Sequence, residues 1–242
     1  MPIGTASLGR SEKPTDQDIR DMARGWYGYG RWDAPYWFVG PEPGMGSDEN
    51  NDLGPRCAAW MKLGACELVD CKDHHLGFGL DKWHRQHPTP PTQPTWRQLI
   101  RLLLAYRNEG PPDIEDIRAY QQRCWGMKDG ETCVIELCSL AANNLGVDKN
   151  VDFDPDSFRA QRIDVIRKRI HNCSPKFVVM YGVKSKPYWE AIAGVEFAGH
   201  PEICLINNGR TQGIFTIHPV GFGTRKTYWV NLAERLRRTR QN

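Results

Sequence analysis

The sequence lacks any hydrophobic run that approaches the roughly 20 residues of a membrane-spanning helix, which argues against contact with a membrane. It also lacks an apolar leader after Met1, so we expect the protein to stay in the cytoplasm. No internal repeat marks a second domain. With 242 residues, 40% of them hydrophobic and 25% charged, we expect residues 1–242 to form one α/β domain.

A strong excess of charge is absent as well. The net charge is only +3, so a surface for nucleic acid must be a local patch. The eight cysteines are scattered, and in a reducing compartment we expect them to be thiols. A structural zinc site could use Cys57, Cys66, Cys71 and His74, but no two of them have the tight spacing of zinc loops. Buried or free thiols are therefore the alternative.

Two predicted strands run directly into loops with polar residues. Residues 36–46 read Tyr-Trp-Phe-Val-Gly-Pro-Glu-Pro-Gly-Met-Gly, which indicates a buried strand followed by a stiff turn with Glu42 between two prolines. Gly44 and Gly46 would allow the backbone of a ligand to approach closely. Near the C-terminus a second strand ends at His218. Taken alone, each loop is equally well explained as an ordinary strand-end turn.

Strands and helices alternate along the rest of the chain. We predict strands at residues 36–40, 133–138, 177–182, 203–207 and 213–217, and helices at 15–24, 95–106, 114–125, 157–172, 186–193 and 225–238. Residues 45–93 are predicted to be an irregular insertion, and long loops of this kind are usually functional. The apolar strands predict a mainly parallel central sheet in a three-layer α/β/α fold. Ligands bind such sheets at the carboxyl ends of the strands, where Glu42, Glu136 and His218 lie.

Four short motifs resemble the uracil-DNA glycosylase superfamily in their order and spacing. They are Gly-Pro-Glu-Pro-Gly at 40–44, Val-Ile-Glu-Leu-Cys-Ser-Leu at 134–140, Val-Val-Met-Tyr-Gly at 178–182 and His-Pro-Val-Gly-Phe at 218–222. The likeness runs from about residue 36 to the C-terminal helix and leaves the insertion unmatched. It implies a monomeric, monofunctional DNA glycosylase that flips a base from duplex or single-stranded DNA and hydrolyses its N-glycosidic bond without a cofactor. The iron–sulfur cluster of some branches is not expected, because nothing resembles their paired N-terminal cysteines.

The resemblance also implies roles for individual residues. Glu42 takes the place of the Asp or Asn that orients the water and stabilises the cationic sugar. His218 takes the place of the donor to the base O2, and Phe222 that of the wedge, usually Leu, that fills the vacated stack. Val220 stands where the family has a phosphate-binding Ser. Glu136 replaces the Asn that reads the flipped base.

The exchange of Asn for Glu136 bears on the substrate. An ionised Glu accepts from the cytosine N4 amino group and repels uracil O4, whereas a neutral Glu can pair with either base. Since removal of ordinary cytosine would destroy the host genome, we expect a modified cytosine of phage DNA, hydroxymethylated or glucosylated, as substrate in antiviral defence. Uracil repair is the alternative, and a non-catalytic nucleic-acid-binding module is a further one. If the register is wrong, Asn143 or Asn144 reads the base.

The insertion and the basic residues complete the predicted site. Phe78 or Trp83 is expected to stack on the base. Both lie in the insertion, where Asp48, Asp52, His74, His75 and Asp81 are polar candidates for a larger pocket or for contact with a sugar. A surface loop is the alternative. Predicted DNA contacts are Gly44, Gly46, Lys184, Ser185, Lys186, Gly221, Phe222 and Arg225, with Arg210, Lys226 and the basic stretch 235–240 as further candidates. For the terminal stretch, a solvated helix face is an equal alternative.

Overall fold

The computed structural model describes residues 13–44, 53–86, 88–108, 110–140, 155–221 and 225–241. Its helices are α1 (Asp16–Gly25), α2 (Leu53–Lys62), α3 (Cys71–Gly77), α4 (Pro94–Asn108), α5 (Ile114–Arg123), α6 (Pro155–Cys173), α7 (Lys186–Ala193) and α8 (Lys226–Gln241). Its strands are β1 (Gly28–Gly30), β2 (Tyr36–Gly40), β3 (Leu68–Val69), β4 (Thr132–Glu136), β5 (Phe177–Tyr181), β6 (Glu202–Leu205) and β7 (Gln212–Thr216). None of the helices in these ranges has both the length and the apolar composition needed to cross a membrane.

The strands form one mixed seven-stranded sheet in the order β3-β1-β4-β2-β5-β7-β6. The four central strands, β4, β2, β5 and β7, are parallel to one another. At the two edges the direction changes, because β1 is antiparallel to β4 and β6 is antiparallel to β7. The predicted α/β class is confirmed, and the predicted parallel sheet is correct for its centre but not for these edges.

Alternating side chains of β2 show how the sheet is covered. Tyr36 and Phe38 pack into a core with α4, α5 and α8, while Trp37 and Val39 pack into a second core with α6 and α7. Successive strand residues point to opposite faces, so the two cores lie on the two sides of the sheet. Helices therefore cover both faces, an arrangement compatible with a three-layer α/β/α fold.

Part of the predicted irregular insertion is regular, so that prediction is wrong for much of residues 53–77. The segment contains α2, β3 and α3. Gly54 and Pro55 near the start of α2 obscured its pattern, although Cys57 and Trp60 are buried against the core. The strand β3 has only two residues, too few for a pattern in the sequence.

The short strand β1 also escaped prediction, and its glycines explain both the failure and the structure. Gly28 and Gly30 have φ of 147° and 91°, a region that favours glycine. A Cβ at Gly30 would collide with the carbonyl oxygen of Thr132, and one at Gly28 with that of Val134. Glycine therefore allows β1 to approach β4 closely.

We predict that Gly30→Ala lowers the free energy of unfolding by about 2 kcal/mol or more, because the strained φ and the collision with Thr132 add together. Gly110→Ala is the matched control, since a Cβ at Gly110 has no neighbour within 4 Å. Urea unfolding of both variants measures the difference. Equal stability of the two would show that β1 does not need glycine at this position.

Candidate functional site

The carboxyl ends of the four parallel strands form one rim of the sheet. Gly40 and Glu136 are paired across β2 and β4, and Tyr181 and Thr216 are paired across β5 and β7. These four residues are the last of their strands. The loop with Glu42 and the loop with His218 follow at this rim, which will be called the catalytic rim. The structure thus brings together the three residues predicted from the strand ends.

Gly40 provides the space in which two functional groups meet. A Cβ at this position would collide with both Oε2 of Glu136 and the hydroxyl oxygen of Tyr181. The carboxyl of Glu136 and the hydroxyl of Tyr181 are therefore close neighbours above Gly40. Tyr181 was not among the predicted site residues, because an aromatic residue at the end of an apolar strand is indistinguishable in sequence from core.

The carboxyl group of Glu136 is buried beside a second carboxylate. Part of Glu136 is exposed, but its Oε2 atom is shielded from solvent and has no hydrogen-bond partner among the described residues. The pKa of Glu136 is raised from 4.5 to about 8, mainly by burial and in smaller part by the negative charge of Glu42, while Arg162 opposes the shift. At neutral pH Glu136 is therefore mainly a neutral acid, with one O–H donor and one carbonyl acceptor.

Arg162 of α6 holds the backbone that carries Glu136. Its guanidinium is buried and donates to the carbonyl oxygens of Glu136 at 2.8 Å, Leu137 at 2.7 Å and Trp26 at 3.0 Å. It also lies 4.0 Å from the ring centroid of Tyr27. Burial lowers the pKa of Arg162 to about 10, so it stays charged at neutral pH.

The sequence analysis missed the buried Arg162, although the pattern of α6 contains a signal for it. Phe158, Ile166 and Ile170 are buried on one face of α6, four residues or a multiple of four apart. Arg162 interrupts this apolar stripe at the same spacing. A single charged residue in an apolar stripe indicates a buried charge with specific partners.

The backbone after β4 is bonded to the loop that carries Glu42. The N–H of Leu137 donates to the carbonyl of Gly40 at 2.7 Å, and that of Cys138 donates to the carbonyl of Pro41 at 2.9 Å. Glu42 itself is half-buried. These two hydrogen bonds fix the first loop against the end of β4 and keep Glu42 near Glu136.

His218 faces the same group of residues from the last loop. Its ring lies edge-on against Tyr181, with ring centroids 5.4 Å apart and planes at 73°. The N–H of Val220 donates to Nδ1 of His218 at 3.4 Å, which assigns the proton of the neutral ring to Nε2. Burial lowers the pKa of His218, so the neutral ring dominates at pH 7. Nε2–H is then a donor at the catalytic rim.

The aromatic residues predicted to stack on a base are packed within the protein. Phe78 is buried against His74 and His75, and the guanidinium of Arg56 lies 5.0 Å from its ring centroid. Arg56 also donates to the carbonyl of Gly44 at 3.3 Å, which places Phe78 behind the first loop. Trp83 is half-buried and packs against the core. Phe78 is therefore not available to stack on a base, contrary to the prediction, whereas the role of Trp83 stays a prediction.

The predicted DNA contacts differ in their exposure. Gly44, Lys184 and Arg225 are exposed, and Gly221 is half-buried in the turn after His218. Ser185 is buried, so its predicted role as a phosphate contact is wrong in this structure. Lys186 forms an ion pair with Glu190 at 3.3 Å. Arg210 and Lys226 are exposed as well. Six predicted site residues fall outside the described residues: Gly46, Asp48, Asp52, Asn143, Asn144 and Phe222.

The zinc ligands suggested by the sequence do not meet. Cys66 is exposed, Cys57 packs with the core beneath α1, and both ring nitrogens of His74 are hydrogen-bonded elsewhere. A different set does meet within the described ranges, since Cys71, His75 and His84 place one ligand atom each within 4.8 Å of the others.

A further cleft lies where α6 ends, lined by residues that include His171 and Asn208. Because α6 precedes β5, this cleft lies at the amino ends of the strands, away from the catalytic rim. It contains no pair of carboxylates, so we place the candidate site at the catalytic rim. A scan against models of protein families and a search of curated proteins found no match for this chain.

We predict that Glu136→Gln stabilises the protein and that the gain grows with pH. From about 4.5 to about 8, folded Glu136 keeps a proton that the unfolded chain releases, so its contribution to stability falls as pH rises through this window. Glutamine does not titrate, so its advantage should be larger at about pH 9 than at about pH 5, by roughly 2–4 kcal/mol.

Urea unfolding at the two pH values measures this difference. Glu196→Gln is the matched control, because Glu196 is exposed and its exchange should leave the pH dependence unchanged. A pH dependence in Glu136→Gln identical to that of the wild type would mean that Glu136 titrates normally.

Proposed function

We propose that the protein is a monofunctional DNA glycosylase, which flips a base out of DNA and hydrolyses its N-glycosidic bond to leave an abasic site. The observation that carries this proposal is the pair Glu42 and Glu136, two neighbouring carboxyl groups of which one is held neutral by burial. Two carboxyl groups with different protonation states provide a charged group for the sugar and a neutral group for the base. The likeness of the strand-end motifs to the uracil-DNA glycosylase superfamily supports the same reaction and a fold of that type.

Glu42 would act on the sugar. As the glycosidic bond breaks, positive charge develops on the deoxyribose, and a nearby carboxylate stabilises that charge. The same carboxylate can orient the water that attacks the anomeric carbon and accept its proton.

His218 would act on the departing base. Negative charge develops on the base oxygen O2 as the bond breaks, and the neutral Nε2–H of His218 can donate a hydrogen bond to it. Val220 holds the ring in the required tautomer through its N–H to Nδ1. The contact with Tyr181 limits the orientation of the ring.

Glu136 would read the edge of the flipped base. As a neutral acid it can donate its O–H to cytosine N3 while its carbonyl accepts from the N4 amino group. The same group can donate to uracil O4 and accept from N3–H. Both pyrimidines therefore match the hydrogen-bonding groups of Glu136.

We favour a modified cytosine, hydroxymethylated or glucosylated, as the substrate in antiviral defence. A glycosylase that accepts cytosine is tolerable to its host only if it demands a modification that the host genome lacks. Uracil excision in DNA repair is the second candidate, and the raised pKa of Glu136 allows it, because the protonated carboxyl can donate to uracil O4. A non-catalytic module for binding nucleic acid would have no need of two neighbouring carboxyl groups beside a neutral histidine.

Incubation of the protein with DNA duplexes and single strands tests the reaction directly. The strands carry uracil, cytosine, hydroxymethylcytosine or glucosylated hydroxymethylcytosine at one labelled position, and alkali then cleaves at abasic sites. Cleavage with a modified cytosine alone supports the favoured substrate, and cleavage with uracil alone supports repair. No cleavage with any of them, alongside tight binding of DNA, would favour a binding module.

We predict that Glu42→Gln and His218→Ala each lower the single-turnover rate of excision by about two to four orders of magnitude. Both residues lie in loops at the catalytic rim, so the urea midpoint should change little. The matched controls are Glu196→Gln and His171→Ala, which alter exposed residues and should keep the wild-type rate. A rate within a few-fold of wild type in either variant would remove that residue from the mechanism.

We predict that Glu136→Asn shifts the preference toward uracil. Asparagine restores a fixed donor for O4 and a fixed acceptor for N3–H, and a mismatched polar edge in a buried site can cost up to ~10⁴ in rate. The readout is the ratio of single-turnover rates on uracil DNA and on modified-cytosine DNA, in variant and wild type. An unchanged ratio would show that Glu136 does not read the base.

A further inference from the structure

Three potential metal ligands meet in the segment between β3 and α4, away from the residues proposed for excision. Cys71 and His75 are one helical turn apart on α3, and His84 lies in the turn after it. One ligand atom of each lies within 4.8 Å of the other two, and all three residues are buried. Helical spacing places Cys71 and His75 on the same face of α3.

A chain of hydrogen bonds fixes the tautomer of His75. His74 Nε2 lies 3.0 Å from the carbonyl oxygen of Arg56, which can only accept, so His74 carries its proton on Nε2. Its Nδ1 then accepts from the hydroxyl of Tyr29 at 3.3 Å. The oxygen of Tyr29 in turn accepts from Nε2–H of His75 at 3.1 Å. The lone pair of His75 is therefore on Nδ1.

That lone pair points at another imidazole. His75 Nδ1 lies 2.9 Å from Nε2 of His84. Without a further partner, His84 must donate from Nε2, which leaves its own Nδ1 as a second lone pair. This Nδ1 is buried and has no hydrogen-bond partner among the described residues. With the proton of His84 on Nδ1 instead, Nδ1 of His75 and Nε2 of His84 are two lone pairs 2.9 Å apart, which a cation between them could use.

A neighbouring ring and a hydroxyl group hold His75 in place. The ring of Trp96 is stacked on His75, with planes at 13° and centroids 5.3 Å apart. Tyr29 on the other ring nitrogen gives His75 the outer oxygen partner that metal-bound histidines usually have.

We propose that Cys71, His75 and His84 bind a zinc ion, with a water molecule as the fourth ligand. One thiolate and two imidazoles are a donor set that zinc takes in proteins. At Zn–N bonds of about 2.0–2.1 Å and tetrahedral angles, two nitrogens lie roughly 3.3 Å apart. The separation of 2.9 Å between the two histidines needs to open by only a few tenths of an ångström.

The ion would fasten the turn that contains His84 to α3. Phe78 lies between these ligands in the chain and packs on His75. Its ring supports Arg56, which donates to Gly44 in the loop of Glu42. Zinc would thus stiffen one wall beside the catalytic rim, in a structural role that is separate from the bond-breaking step.

Metal analysis of the tag-free full chain tests the site. After exposure to zinc and dialysis, wild type and the control Cys57→Ser should hold about one zinc ion per chain, because Cys57 is a buried thiol outside the cluster. Cys71→Ser and His84→Asn should each hold less than about a fifth of that amount. A strong chelator should lower the melting temperature of wild type by several degrees and leave that of the two variants unchanged.

Substitution of cobalt provides a readout that does not depend on the folding of variants. Wild type with Co²⁺ should show a thiolate-to-cobalt charge-transfer band and the intense visible absorption of a tetrahedral site. Absence of that band, less than about a tenth of a zinc ion in wild type, or full zinc in Cys71→Ser would overturn the proposal. Stoichiometric copper in place of zinc in the purified protein would overturn the identity of the ion.

Discussion

Burial of the Glu136 carboxyl beside Glu42 is the constraint on which the catalytic rim depends. An ionised carboxylate without a full partner is costly in such a position, so the group takes up a proton instead. Gly40 leaves the space for it, and its backbone is held by Arg162, whose charge is directed to carbonyl oxygens. The same guanidinium contacts the end of α1, so the rim and the first helix are joined through one buried side chain.

The topology of the sheet explains why these groups meet. The four parallel strands end at one edge of the sheet. Glu136 and Tyr181 are the last residues of β4 and β5, and Glu42 and His218 lie in the loops after β2 and β7. Tyr181 connects two of these, since it is adjacent to Glu136 and packs against His218. In the proposed excision of a pyrimidine, Glu42 acts on the sugar, the neutral Glu136 on the base and the neutral His218 on the leaving group.

The sequence was informative where a local pattern determines structure. Apolar runs that end in Gly-Pro or His-Pro located β2, β7 and their loops, and Thr15 marked the start of α1 through the capping box with Asp18. The apolar stripe of α6 signals that Arg162 is buried, but its partners were not predictable, because they are carbonyl groups far away in the chain. The cluster of Cys71, His75 and His84 was missed because residues 45–93 were predicted to be irregular, so the helical spacing of Cys71 and His75 was not recognised. Long-range partners, unlike strand ends, leave no local signature.

The most direct test is a carboxyl-carbon NMR titration of protein labelled with ¹³C at the glutamate side chains. The account predicts one resonance with a midpoint near pH 8, which is missing from Glu136→Gln and retained in Glu196→Gln. It also predicts that this midpoint falls in Glu42→Gln, because the negative charge of Glu42 is removed. If every glutamate of the wild type titrates below about pH 6, Glu136 is not held neutral and the account is contradicted.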